Sequence, residues 1–248
     1  MATASRPDAG GLFEIESADD FALTSSTLIS SATFDGLLTG VTPTIGDVVV
    51  EIYRIFPLDS TDPPSGNVPT RTNSPSDVAF DSRDAAGGTL DFTTTTLSAS
   101  FTAGNSVTAG GIHPIPNQTT LGNGPATGEE VEFNVSFTTP FYLPAGHYFF
   151  VPQVQVTGGD FLWLSAPRPI TGGTPFPPGM TDLQTWTRDA GLDPDWLRVG
   201  TDIAGSGAFN AAFSLTGTAV REPATWTLFA AALTLAGTWR RTRRPNQP

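Results

Sequence analysis

Chemistry at neutral pH usually needs an imidazole, an activated nucleophile or two carboxylates at a fixed separation. The chain has two histidines, His113 and His147, 34 positions apart. His113 precedes Pro114 in a stretch rich in Gly, Pro and Asn, and His147 opens a strand-like run. A Ser-His-Asp triad assembles in space rather than in sequence, but no Gly-x-Ser-x-Gly elbow is present. The nearest approach is Gly104-Asn105-Ser106, with the next glycine at Gly110. His-Glu-x-x-His and phosphate-loop patterns are also missing. Both histidines therefore read as ordinary loop and strand residues, and no catalytic residue is assigned. A hydrolase with an unrecognised site is the least favoured reading.

Two other residue classes offer binding chemistry. Asp189, Asp193 and Asp195 cluster beside Gly191, and carboxylates supplemented by backbone carbonyls are the ligands calcium prefers, although the spacing is not that of an EF-hand. Trp186 and Trp196, with Asp and Asn nearby, are candidates for a stacking platform under a sugar ring. Trp163 lies within the apolar run Phe161-Leu162-Trp163-Leu164 and is expected in the core, whereas Trp186 is expected to be the most exposed of the three. Against both stands the ordinary alternative of solvated turn aspartates and core tryptophans. Glu130 and Glu132 share one face of an alternating strand, where carboxylates are ordinarily solvated.

The elements that must hold these residues are strands. With 26 Gly and 22 Pro among 248 residues, long helices are disfavoured, and short runs rich in Val, Ile, Phe, Tyr and Thr recur between turn signals. That pattern predicts an all-β, antiparallel, jelly-roll-like sandwich with long loops over residues 18–220. Residues 1–17 are expected to be a flexible N-terminal segment. In 48–56, Val48, Val50 and Ile52 fall on one face and Val49, Glu51, Tyr53 and Ile55 on the other. Residues 130–137 alternate without a break. Further strands are expected over 28–34, 90–101, 146–156, 161–165, 196–199 and 208–216, and a short helix over 181–188 with Asp182 near its start. Loops are expected over 57–75, 104–128 and 167–179.

The last 28 residues have a different character. From Ala224 to Trp239 there is no charge over 16 residues; as a helix this run spans roughly 24 Å, just short of a hydrocarbon core of about 30 Å. Ala and Leu dominate, including Leu228, Phe229, Leu233 and Leu235, while Trp226 and Trp239 stand at the two ends, where amphipathic rings favour a membrane interface. Arg240, Arg241, Arg243 and Arg244 follow and would stay cytoplasmic by the positive-inside bias. Arg221-Glu222-Pro223 precedes the run.

In layout this tail resembles the PEP-CTERM sorting signal, a Pro-Glu-Pro motif, membrane helix and Arg-rich end recognised by an exosortase, which is a membrane transpeptidase. Arg221 stands where the family motif has its first proline. The resemblance implies cleavage near Glu222-Pro223, transient residence in the inner membrane and transfer to the cell surface. The family's usual company implies exopolysaccharide as a further partner. Ala18-Asp19-Asp20-Phe21, 143–148 and 211–218 loosely resemble surface β-sandwich proteins carrying such tails. The implied function is a non-enzymatic surface or matrix protein needing no cofactor, with a carbohydrate-binding module as the alternative. Residues 1–8 lack the basic start and apolar run of a secretory signal, so an export signal is expected upstream of Met1. The alternative is insertion by the tail with a cytoplasmic body.

Charge narrows the partners. All 12 basic residues are arginine; without the tail, 23 acids face 7 arginines, a net charge of −16. Such a surface repels phosphate backbones and anionic membranes, which disfavours nucleic acid as a partner. There is no cysteine, so disulfides and thiolate metal sites are excluded.

Overall fold

In the computed structural model, residues 1–60, 72–112, 119–167, 183–191 and 196–220 are described. Fourteen strands run in chain order: β1 (Ala2–Ala4), β2 (Ile15–Leu23), β3 (Thr27–Leu38), β4 (Thr44–Arg54), β5 (Asp81–Asp84), β6 (Leu90–Ala103), β7 (Ser106–Val107), β8 (Ala126–Leu143), β9 (Gly146–Thr157), β10 (Phe161–Pro167), β11 (Trp186–Asp189), β12 (Leu197–Arg198), β13 (Phe209–Ala211) and β14 (Phe213–Ala219). A 3-10 turn at Ala109–Gly111 and a π-helical turn at Val199–Ala204 complete the described elements. One sheet has the order β6-β8-β3-β10-β1-β7, with β14 beside β3 and β13 beside β10; the other runs β12-β11-β2-β9-β4-β5. All pairings are antiparallel except β1 with β7.

The sheets pack face to face because alternation gives each a continuous apolar side. Val48, Val50 and Ile52 of β4 and Tyr148, Phe150 and Val154 of β9 meet Phe34 of β3, Val131, Phe133 and Val135 of β8, and Phe161 and Trp163 of β10. The rings of Phe34 and Phe133 stack at 4.9 Å, and Phe161 meets both edge-on. Gly36 allows that approach, since a Cβ there would lie 2.1 Å from Phe161 Cε2. Glu130, Glu132 and Asn134 share the opposite face of β8, as their alternation predicts, but are half-buried there rather than freely solvated.

Several expectations are corrected. Residues 1–17 are not a flexible lead: Ala2–Ala4 are buried in a strand paired on both edges, with β10 and β7, and Ile15 opens β2. The helix expected over 181–188 is irregular at 183–185 and strand at 186–188, because Trp186, Thr187, Arg188 and Asp189 pair with Ala18, Ser17, Glu16 and Ile15; sheet pairing overrides the capping signal of Asp182, itself outside the described residues. The single strand expected over 208–216 breaks at Ala212, whose carbonyl accepts the indole N–H of Trp163 (3.1 Å) and separates β13 from β14. Among the described residues no helix is long and apolar enough to cross a membrane; the expected span, Ala224 to Trp239, lies outside them, as do the rest of 221–248, Asp193, Asp195 and His113.

Candidate functional site

Strand alternation decides what lies on the outer face of the second sheet. Because Val48, Val50 and Ile52 turn to the core, Glu51 and Tyr53 must turn away from it. The β2–β11 register sets Glu16 opposite Arg188, and β9 between β2 and β4 contributes Phe149, Val151 and Gln153. This face is covered as well. Trp186 and Trp196 close over Ala18, Tyr53, Phe149 and Val151 to form a second apolar layer, so the polar groups among them are buried.

Those polar groups form one network. Glu16, with no exposed surface, accepts hydrogen bonds from Arg188 Nε and from the Tyr53 hydroxyl. Arg188 Nη2 donates to the Tyr53 oxygen (3.1 Å) and Nη1 to the Asp77 carbonyl (3.0 Å). Its guanidinium lies 4.7 Å over the Trp196 ring, whose indole N–H donates to the Ser76 carbonyl (2.8 Å). Glu51 Oε2 lies 3.0 Å from the Tyr53 hydroxyl, and Gln153 Nε2 donates to Glu14 Oε1 (2.8 Å).

The electrostatics follow from burial. Burial, then the charges of Glu16 and Glu14, push the Glu51 carboxyl up to about 8. The Tyr53 hydroxyl has one proton and faces both the Glu16 and the Glu51 carboxyl, so it serves one of them at a time. Burial and the nearby Glu16 also raise Glu14, and they raise the Tyr53 phenol well above its ordinary value. Burial works against the Arg188 cation, but the Glu16 carboxylate holds its pKa above the ordinary value.

A second buried group lies where β2 meets β9. Asp19 accepts from Thr185 Oγ1 (2.8 Å) and from the Ala211 N–H; burial, then Asp20, push its carboxyl well up. Asp20 Oδ2 pairs with His147 Nε2 at 2.8 Å. This is an Asp-His pair without the third member of a triad: among the described residues Asp20 is the hydrogen-bond partner of the imidazole, and the nearby Thr185 hydroxyl is committed to Asp19.

The residues singled out in the sequence are dispersed. Trp163, Trp186 and Trp196 are at most 1% exposed, so Trp186 and Trp196 form no sugar platform; both belong to the layer over the second sheet, where each ring has a guanidinium above it. Asp189 ends β11 and its Oδ1 accepts the Gly191 N–H (2.8 Å); its expected partners lie outside the described residues. Glu14, Glu16 and Arg188 carry no local motif. Glu51 and Tyr53 had one signal, their shared strand face, but that face ordinarily meets solvent. A separate groove of about 340 Å³ is lined by Asp35, Phe101, Glu130, Leu164 and Asn210. No known protein family, characterised protein or solved structure matches this chain.

Proposed function

We propose that the chain is a non-enzymatic exported protein of the cell surface or extracellular matrix, a jelly-roll-like body held by a C-terminal membrane helix until an exosortase removes the tail. One observation carries this reading: Arg221-Glu222-Pro223, the uncharged run 224–239 and Arg240, Arg241, Arg243 and Arg244 follow the last described strand after the single residue Val220. The Val220 N–H donates to the Ser26 carbonyl (2.7 Å), so the described body is hydrogen-bonded up to its last residue. A cut near Glu222-Pro223 leaves every described strand in the product. The body, at −16, is then released from the inner membrane as an acidic domain suited to a hydrated exopolysaccharide matrix rather than to anionic lipid or nucleic acid.

The reading is tested by replacing Glu222 and Pro223 with alanine in the native host and taking the intact mass of the envelope and medium fractions. The wild type is expected to lose its tail and the variant to keep it. Equal processing of both would overturn the proposal.

A carbohydrate-binding role is favoured by one observation, the groove, in which Asp35, Glu130 and Asn210 offer hydrogen-bonding groups beside the partly exposed Phe101 ring. Titration with neutral oligosaccharides, followed by NMR shifts of groove residues and their loss in Phe101→Ala, tests it; unshifted groove resonances would sink it.

A further inference from the structure

With its carboxyls ionised, the buried network on the second sheet does not balance its charge. Glu14, Glu16 and Glu51 carry three negative charges when ionised, Arg188 supplies one positive charge, and no other cation among the described residues contacts the three carboxylates. We propose that Glu14, Glu16 and Glu51, joined by the side-chain carbonyl of Gln153, bind a hard divalent cation of the calcium class, pinning β2, β9 and β4 together.

The geometry suits such an ion. One oxygen from each of the three carboxylates lies within 4.8 Å of the others, which is about twice a calcium–oxygen bond of roughly 2.4 Å, the separation of ligands on opposite sides of one ion. Glu14 and Glu51 are half-buried whereas Glu16 is fully buried; the ion therefore has a path in from solvent, and water completes its shell.

An independent sign is Gln153. The residue has no exposed surface, its Nε2 donates to Glu14 Oε1 at 2.8 Å, and its Oε1 is buried without a partner. A buried carbonyl left unsatisfied is destabilising. Coordination requires a half-turn of the amide, which exchanges nitrogen and oxygen and turns the carbonyl to Glu14 with the cation between the two oxygens. The orphaned carbonyl thus marks a fourth donor.

The donor set selects the ion. It contains only carboxylate and amide oxygens, with no thiolate or imidazole, and so favours calcium or magnesium over zinc and copper. Magnesium demands a near-ideal octahedron, whereas calcium tolerates the irregular spacing of side chains from separate strands. The site differs from the Asp189 loop, whose carboxylate is engaged with the Gly191 N–H.

The test uses the full chain after EDTA treatment. Terbium, a luminescent stand-in for calcium, is titrated with excitation of Trp196 and Tyr53, whose rings lie 5.5 Å apart beside the site, and Tm is followed against calcium concentration in parallel. Saturable terbium emission displaced by calcium, and a Tm that rises with calcium as mass action requires, are expected. Glu14→Gln, Glu51→Gln and Gln153→Met should each weaken affinity by about tenfold or more, while Asp189→Asn leaves it unchanged. Absence of sensitised emission and of any Tm response at millimolar calcium would overturn the proposal, as would wild-type affinity in the Glu51→Gln and Gln153→Met variants.

Discussion

Replacing Glu51 by glutamine should make the protein more stable at alkaline pH and leave it almost unchanged in acid. The carboxyl is pushed from 4.5 up to about 8, so between those pH values the folded protein holds a proton that the unfolded chain has lost. A raised carboxyl contributes stability that is fully present below the unfolded value and is lost as pH climbs to the folded one. The slope is about 1.4 kcal/mol per pH unit, which sums to on the order of 4–5 kcal/mol across the window and is flat above it. Glutamine keeps the shape and the contact with Tyr53 but cannot ionise. Glu14 is among the charges that push Glu51 up, so removing Glu51 also relieves that mutual repulsion and acts with the same sign. The assay is urea unfolding in EDTA at pH 5, 7 and 9, read by tryptophan fluorescence. The two proteins should nearly coincide at the lowest pH and diverge steadily towards the highest. Parallel curves at all three would refute the burial argument.

Arg188→Met should destabilise the fold by about 3–5 kcal/mol, because it strands the fully buried Glu16 charge; adding Glu16→Gln should recover most of that loss in the same denaturation assay. Gly36→Ala should cost about 1–3 kcal/mol by driving a methyl into the Phe161 ring, visible as a lower Tm that Phe161→Leu partly restores. Ending the chain after Val220 should leave the Tm and near-UV circular dichroism of the body unchanged, since the described strands close at Ala219; a large drop would mean that the tail is part of the fold.

Where alternation was strong, the strands could be read from sequence. The alternation in 130–137 and 48–56 sorted the side chains correctly onto the two faces of each strand, because a period of two is fixed by the pleat. What failed was anything decided by a distant partner. Ala2–Ala4 look like a solvated lead until β10 and β7 close on them, and the signal for a helix at 181–188 is local while the pairing of Arg188 with Glu16 spans 172 residues. Trp186 has polar neighbours in sequence, yet it is sealed because the second sheet is covered on both faces. The buried network was illegible for the same reason: Glu14, Glu16, Glu51, Tyr53, Gln153 and Arg188 come from four strands and the turn before β2, and no spacing rule joins them.

The central claim, that the body is delivered to the surface and parted from its tail, is tested most directly by the intact mass and localisation of the protein in its native host with and without the exosortase. The account predicts a surface or extracellular species ending near Glu222 when the enzyme is present, and an uncut, membrane-held chain when it is deleted. Full-length protein in the cytoplasm of both strains would contradict it.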